Sequence, residues 1–170
     1  MKNILFAIPL LSMAADAFAQ TAPCCHPDAV TEFAMLANRE DFRAAHENPL
    51  PYAYQGTAGV PVTFNTPDGT PAHGFLFKAK EATDKYLCVY QEWYGLNNYI
   101  KKQSEMLYND LEGKVNVLAL DMYDQQVAAT REEAAKLMQG VSRERLQAIM
   151  QGALDYAGPS AAIASIGWCF

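Results

Sequence analysis

The apolar positions of the chain change their spacing several times, and each change predicts a different element. Residues Ile4 to Met13 are predominantly apolar behind a single Lys2, and Ala17-Phe18-Ala19 follows as a small-x-small pattern. That layout predicts a signal peptide cut after Ala19, because the run is too short for a bilayer core of ~30 Å. Beyond it, Val30, Phe33, Leu36 and Ala37 recur at helical spacing, continued by Phe42. Short helices are predicted there. Asn48-Pro49-Leu50-Pro51 ends them, since proline has no amide hydrogen and drives its predecessor out of the helical region.

A hairpin is predicted next. Val60 to Phe64 and Ala72 to Ala79 alternate around the turn Thr66-Pro67-Asp68-Gly69. From Tyr86 the period shifts again. Tyr86-Leu87-Cys88-Val89-Tyr90 is apolar on both faces, as a strand inside a parallel sheet should be. Leu96, Ile100, Leu107 and Leu111 then share a helical face that Gly113 should cap. Val115 to Leu120 reads as a second buried strand. Thr130-Arg131-Glu132-Glu133 is a capping box, and Ser142 should start a further helix whose inner face is Leu146, Ile149, Met150, Ala153 and Ala157, stopped by Gly158-Pro159. Ala161 to Ile166 reads as a third buried strand, leading into Gly167-Trp168-Cys169-Phe170. Strands alternating with helices predict an α/β fold with right-handed crossovers. The expected organisation is a signal peptide over 1–19, a helical extension over 20–58 and an α/β domain over 59–170.

Composition narrows the function classes. The 170 residues carry 13 Lys plus Arg against 19 Asp plus Glu, a net charge of −6. No basic stripe exists to face phosphates, which argues against a nucleic-acid binder. No later segment reaches the ~20 apolar residues of a spanning helix. A secreted or periplasmic chain, clear of the membrane after cleavage, is therefore expected.

The candidate chemistry gathers at strand ends. Gly167-Trp168-Cys169-Phe170 supplies four of the five positions of a G-x-Nuc-x-G nucleophile elbow, directly after a strand, which is the context the motif requires. Glu92 follows the first apolar strand, at the carboxyl edge where α/β sheets bind ligands, and Gly95 permits the turn into the helix. Asp121 and Tyr123 follow the next strand at the same edge. Arg131, in the first turn of a helix, is mildly unfavourable against the helix dipole and so stands out.

These blocks together, Gln91-Glu92-Trp93-Tyr94-Gly95-Leu96-Asn97, Leu120-Asp121-Met122-Tyr123-Asp124, Thr130-Arg131-Glu132-Glu133-Ala134 and Gly167-Trp168-Cys169-Phe170, resemble the dienelactone hydrolase family of α/β-hydrolases. The resemblance runs from about Val60 onward, and the Cys24-Cys25 segment resembles the extension of secreted bacterial members. It implies an α/β-hydrolase fold, a three-layer αβα sheet here interrupted after the nucleophile strand, and cysteine-based hydrolysis of an ester or lactone. Cys169 would be the nucleophile and Glu92 the carboxylate contacting its thiol. The backbone amides of Trp93 and Phe170 would form the oxyanion hole. Arg131 and Tyr123 would contact a small-molecule substrate, Arg131 through a carboxylate. Ala135 stands where the best-known members carry a tyrosine, which argues against the small dienelactone substrate.

The family's catalytic Asp and His come later in the chain than Cys169, and the 170-residue chain is expected to be inactive without them. His46 and His73 read as surface or turn residues. A thiol of ordinary pKa ~8.5 would be raised further by Glu92, since like charges resist coexisting. Cys88 reads as an inert buried thiol. Neither a metal nor a cofactor is expected: adjacent Cys24 and Cys25 bridge each other only with strain, and no second ligand pair is spaced for zinc. Two other functions fit less of the sequence, a non-catalytic binding module with a vestigial pocket and a redox or metal-handling protein built on Cys24-Cys25-His26. The strand ending at Ile166 should form an exposed, aggregation-prone edge.

Overall fold

The computed structural model describes residues 31, 35–36, 38–45 and 48–168. The expected signal peptide and Cys24, Cys25 and His26 lie outside them. Five strands form one sheet in the order β1 (Gly59–Phe64), β2 (Ala72–Phe77), β4 (Asn116–Leu120), β3 (Lys85–Tyr90), β5 (Ala162–Gly167). The helices are α1 (Glu40–Ala44), α2 (Asn98–Asp110), α3 (Arg131–Gly140) and α4 (Arg143–Ala157).

The predicted hairpin is present, with Val62 opposite Gly74 in an antiparallel register. Strand β2 also runs antiparallel to β4, whereas β3 is parallel to both β4 and β5. The direction of travel reverses at β3. The chain steps from β3 to β4 on one side, then crosses back over β3 to reach β5 on the other. Two right-handed crossovers in opposite directions must place their helices on opposite faces. They do: α2 packs with Phe77, Val89, Val117 and Ala119, while α3 and α4 pack with Leu76, Cys88, Leu118 and Leu120. This three-layer arrangement with a mixed sheet fits the α/β-hydrolase fold.

Local chemistry sets the helix ends. The Thr130 hydroxyl accepts from the Glu133 amide and the Glu133 carboxylate reaches back, completing the capping box. The Ser142 hydroxyl accepts from the Arg145 amide at 3.1 Å. Helix α4 approaches the hairpin closely because Gly152 has no side chain: a Cβ there would lie 2.5 Å from the Asn65 carbonyl oxygen. Arg145 then ties α4 to two loops, donating to Asp68 and the Thr70 carbonyl in the hairpin turn and to Asp124 after β4.

Two expectations are corrected. In α2 the buried positions are Ile100, Ser104 and Tyr108, and Leu111 is exposed beyond the last helical turn. A spacing of four turns Ser104 inward, and its hydroxyl is satisfied by the Ile100 carbonyl at 2.8 Å. Strand β5 is not buried. It begins at Ala162 and is exposed along its length, pairing with β3 on one side and forming on the other the exposed sheet edge that was also expected. Ile163 and Ile166 are accordingly exposed.

Replacing Thr130 with alanine removes the acceptor for one orphan amide and should cost about 1 kcal/mol of stability, measured by urea unfolding.

Candidate active site

The reversal at β3 makes its carboxyl end the point where the two crossovers diverge, and an open α/β sheet forms its crevice there. Glu92 sits at that point. The turn it opens is tight, with the Gly95 amide donating to the Glu92 carbonyl at 3.0 Å, and Gly95 lies at φ +99. A Cβ on Gly95 would fall 2.7 Å from the Gln126 carbonyl oxygen. The turn after β3 is thus pressed against the turn after β4, and the Ala128 amide bonds the Tyr94 carbonyl at 2.9 Å.

Both oxygens of the Glu92 carboxylate are held. Oε2 accepts from the Tyr94 amide at 3.0 Å, and Oε1 accepts from the Asn97 side-chain amide at 2.6 Å. Such bonds to the charged form favour it. Tyr94 and Tyr123 stand within electrostatic reach of Glu92. Their phenols are raised above the ordinary value of 10.0, first by burial and then by the Glu92 charge.

Trp93 is fully buried, and its indole N–H donates to the Met138 sulfur on α3 at 3.1 Å. Phe42 of α1 packs edge-on against the same ring, with centroids 5.4 Å apart. The Trp93 side chain is therefore held from both sides. Gln91 is also fully buried. Its Oε1 accepts from the Met122 amide at 3.1 Å, and its Nε2 has no hydrogen-bond partner. That bond couples the two strand ends a second time.

Asp121 holds the turn after β4. Its carboxylate is buried and accepts from the Tyr123 and Gln125 amides, holding the turn in which Asp124 and Gln125 adopt positive φ. Burial raises its pKa above the ordinary 3.8, outweighing those two amides. Tyr123 is brought beside Glu92 as the sequence implied, through the fold of this turn.

Arg131 lies at the start of α3, partly buried. Its backbone amide donates to the Asn48 side chain and its guanidinium to the Arg43 carbonyl, both at 3.0 Å. Its Nε is buried without a hydrogen-bond partner. Phe42, Arg43 and Asn48 thus pack against Trp93 and Arg131, and further along Tyr99 donates to the Leu50 carbonyl and Asn98 to the Tyr52 carbonyl.

His73 is a strand residue rather than a turn residue, and it stays partly exposed. It lies in β2, half-buried, with Nδ1 against the Thr63 hydroxyl at 3.2 Å and Nε2 against the Gln125 amide at 3.0 Å. Antiparallel β2 brings its start to the edge where the parallel strands end. Cys169, Phe170 and His46 lie outside the described residues. Asn97 and Gln91 were missed from the sequence as site residues. The signal was available for Asn97 as a capping residue before α2, though nothing in spacing alone says its amide reaches Glu92. Among the described residues no cluster of His, Cys, Asp and Glu could hold a metal ion. No described helix is long and apolar enough to cross a membrane.

No protein-family model and no curated protein matches the sequence. Solved structures do. One is a dienelactone hydrolase-like promiscuous phosphotriesterase from metagenomic libraries, at 29% identity and a TM-score of 0.48 over 67% of this chain. Another is assigned as a dienelactone hydrolase of Klebsiella pneumoniae subsp. pneumoniae, at 16% identity and a TM-score of 0.49 over 66% of this chain. The chain spans about half the length of each, 51% in both cases.

Gly95→Ala should lower stability by about 2 kcal/mol or more, because a left-handed φ is combined with a clash against backbone; urea unfolding measures it. For Asp121 the folded pKa exceeds the unfolded one, so its favourable contribution is complete in acid and is lost as pH rises past the ordinary 3.8 and through the raised value. The stability of the native chain relative to Asp121→Asn should therefore be greatest in acid and decline with rising pH, as read from unfolding midpoints across the range.

Proposed function

We propose that the chain carries the nucleophile side of a dienelactone hydrolase-like site that cleaves an ester or lactone. One observation supports this above the others. The parallel register pairs Tyr90 with Gly167. Glu92 is two residues beyond Tyr90, and Cys169 is two residues beyond Gly167. Adjacent parallel strands lie about 4.8 Å apart, so the register favours a carboxylate and a thiol leaving the sheet side by side.

In this reading Cys169 attacks the carbonyl, and Glu92 contacts the thiol and takes part in its activation. The backbone amide of Trp93 supplies one oxyanion donor and the amide of Phe170 the other. Tyr123 and Arg131 contact the substrate. The buried Nε–H of Arg131, with no protein acceptor, suits a substrate carboxylate. A thiol held protonated beside Glu92 at rest also suits a protein exported from the cytoplasm, where a free thiolate would be open to oxidation.

The supporting experiment is alkylation of Cys169 across pH, mapped by peptide mass so that Cys24, Cys25 and Cys88 are scored separately. Glu92→Gln should lower the midpoint by about one pH unit. An unchanged Cys169 profile in that variant would overturn the Glu92–Cys169 pairing. The chain by itself is proposed to show no appreciable ester turnover; His73, the one histidine among the described residues, has both ring nitrogens engaged, by Thr63 and Gln125. Turnover of an aryl ester that vanishes in Cys169→Ala would refute that.

A further inference from the structure

We infer that Asn97 is a positioning residue for the Glu92 carboxylate, and that one side chain couples the start of α2 to the charge state and direction of Glu92. This rests on the reading of Glu92 and Cys169 given above.

The Asn97 amide performs two tasks at once. Its Oδ1 accepts from the Tyr99 and Ile100 amides at 3.0 and 3.1 Å, which caps α2 and fixes which end of the amide is oxygen. The Nδ2 end is thereby committed to donating, and it does so to Glu92 Oε1 at 2.6 Å. The backbone is braced in turn, since the Asn97 amide donates to the Gly95 carbonyl at 2.7 Å. Glu92 therefore cannot rotate about its last bond without giving up the Asn97 donor, the Tyr94 amide, or both.

The chemistry follows from what the bonds favour. Two N–H donors favour the ionised carboxylate and aim it in one direction. A charged, immobile carboxylate raises a neighbouring thiol more than a mobile one that can turn toward water. A residue that only capped the helix would stabilise α2 and leave the thiol untouched.

Serine and aspartate separate the two tasks, because both are good N-cap residues and neither carries an amide donor. Asn97→Ser keeps the cap and releases Glu92. The Cys169 alkylation midpoint should fall, raising reactivity at neutral pH roughly threefold, with the thermal unfolding midpoint close to that of the parent. Asn97→Asp keeps the cap, removes the donor and sets a like charge against Glu92, which displaces that carboxylate and favours its protonation, so the midpoint should fall here too. In a Glu92→Gln background, Asn97→Ser should add no shift.

Equal shifts on adding Asn97→Ser to the parent protein and to the Glu92→Gln variant would assign Asn97 a purely structural effect and overturn the inference. So would a normal midpoint in Asn97→Ser while Glu92→Gln alone moves it, an outcome that leaves the Glu92–Cys169 pairing standing. A Glu92→Gln variant that moves nothing overturns the pairing itself, and the inference with it. If Asn97→Ser fails to fold, the downward shift in Asn97→Asp remains the test, and its absence overturns the inference.

Discussion

A right-twisted strand feeding a helix packs back onto its sheet in one hand only. In this chain that constraint acts twice in opposite directions, from β3 to β4 and from β4 back across β3 to β5. The helices are forced onto opposite faces, and the loops leaving β3 and β4 are left above the sheet with a crevice between the diverging crossovers. Glu92 occupies the last position before that divergence. The location of the candidate site is a consequence of strand order, before any side chain is considered.

What the topology leaves open, the two turns close. The turns after β3 and β4 are joined by the Tyr94–Ala128 backbone bond, by the Gln91–Met122 bond and by the close approach of Gly95 to Gln126. Each is short range, and the two hydrogen bonds use groups that would otherwise be unsatisfied buried donors or acceptors. Trp93 and Tyr123, on different turns, are consequently held near one carboxylate. The extension adds a third support, with Phe42 against Trp93 and Arg43 and Asn48 on Arg131. Residues far apart in sequence thus share one wall of the site.

Much of this was legible in the residues. The capping box at Thr130 and Glu133, the Ser142 cap and the glycine at 95 announce themselves because each satisfies a local backbone need within a few residues. Other features were not legible. Leu96, Ile100 and Leu107 pack against the sheet as expected, but Ser104 joins them on the inward side and Leu111 does not. The largely apolar run of β5 reads as a buried strand by its residue types, whereas its exposed edge follows from its having one neighbour, since apolarity states a preference for burial and does not supply the partner that would satisfy it. His73 reads as a turn residue until antiparallel β2 carries it to the site edge of the sheet.

The sequence by itself determined the order of strands and helices, their caps and turns, and which residue types stand at the strand ends, because those depend on interactions among residues close along the chain. Only the tertiary structure decided that β5 pairs beside β3, that Asp121 serves its own turn while Tyr123 approaches Glu92, and that the Asn97 amide has a second partner. These geometries are set by strand register, helix rotation and the way each turn closes, which no local pattern encodes.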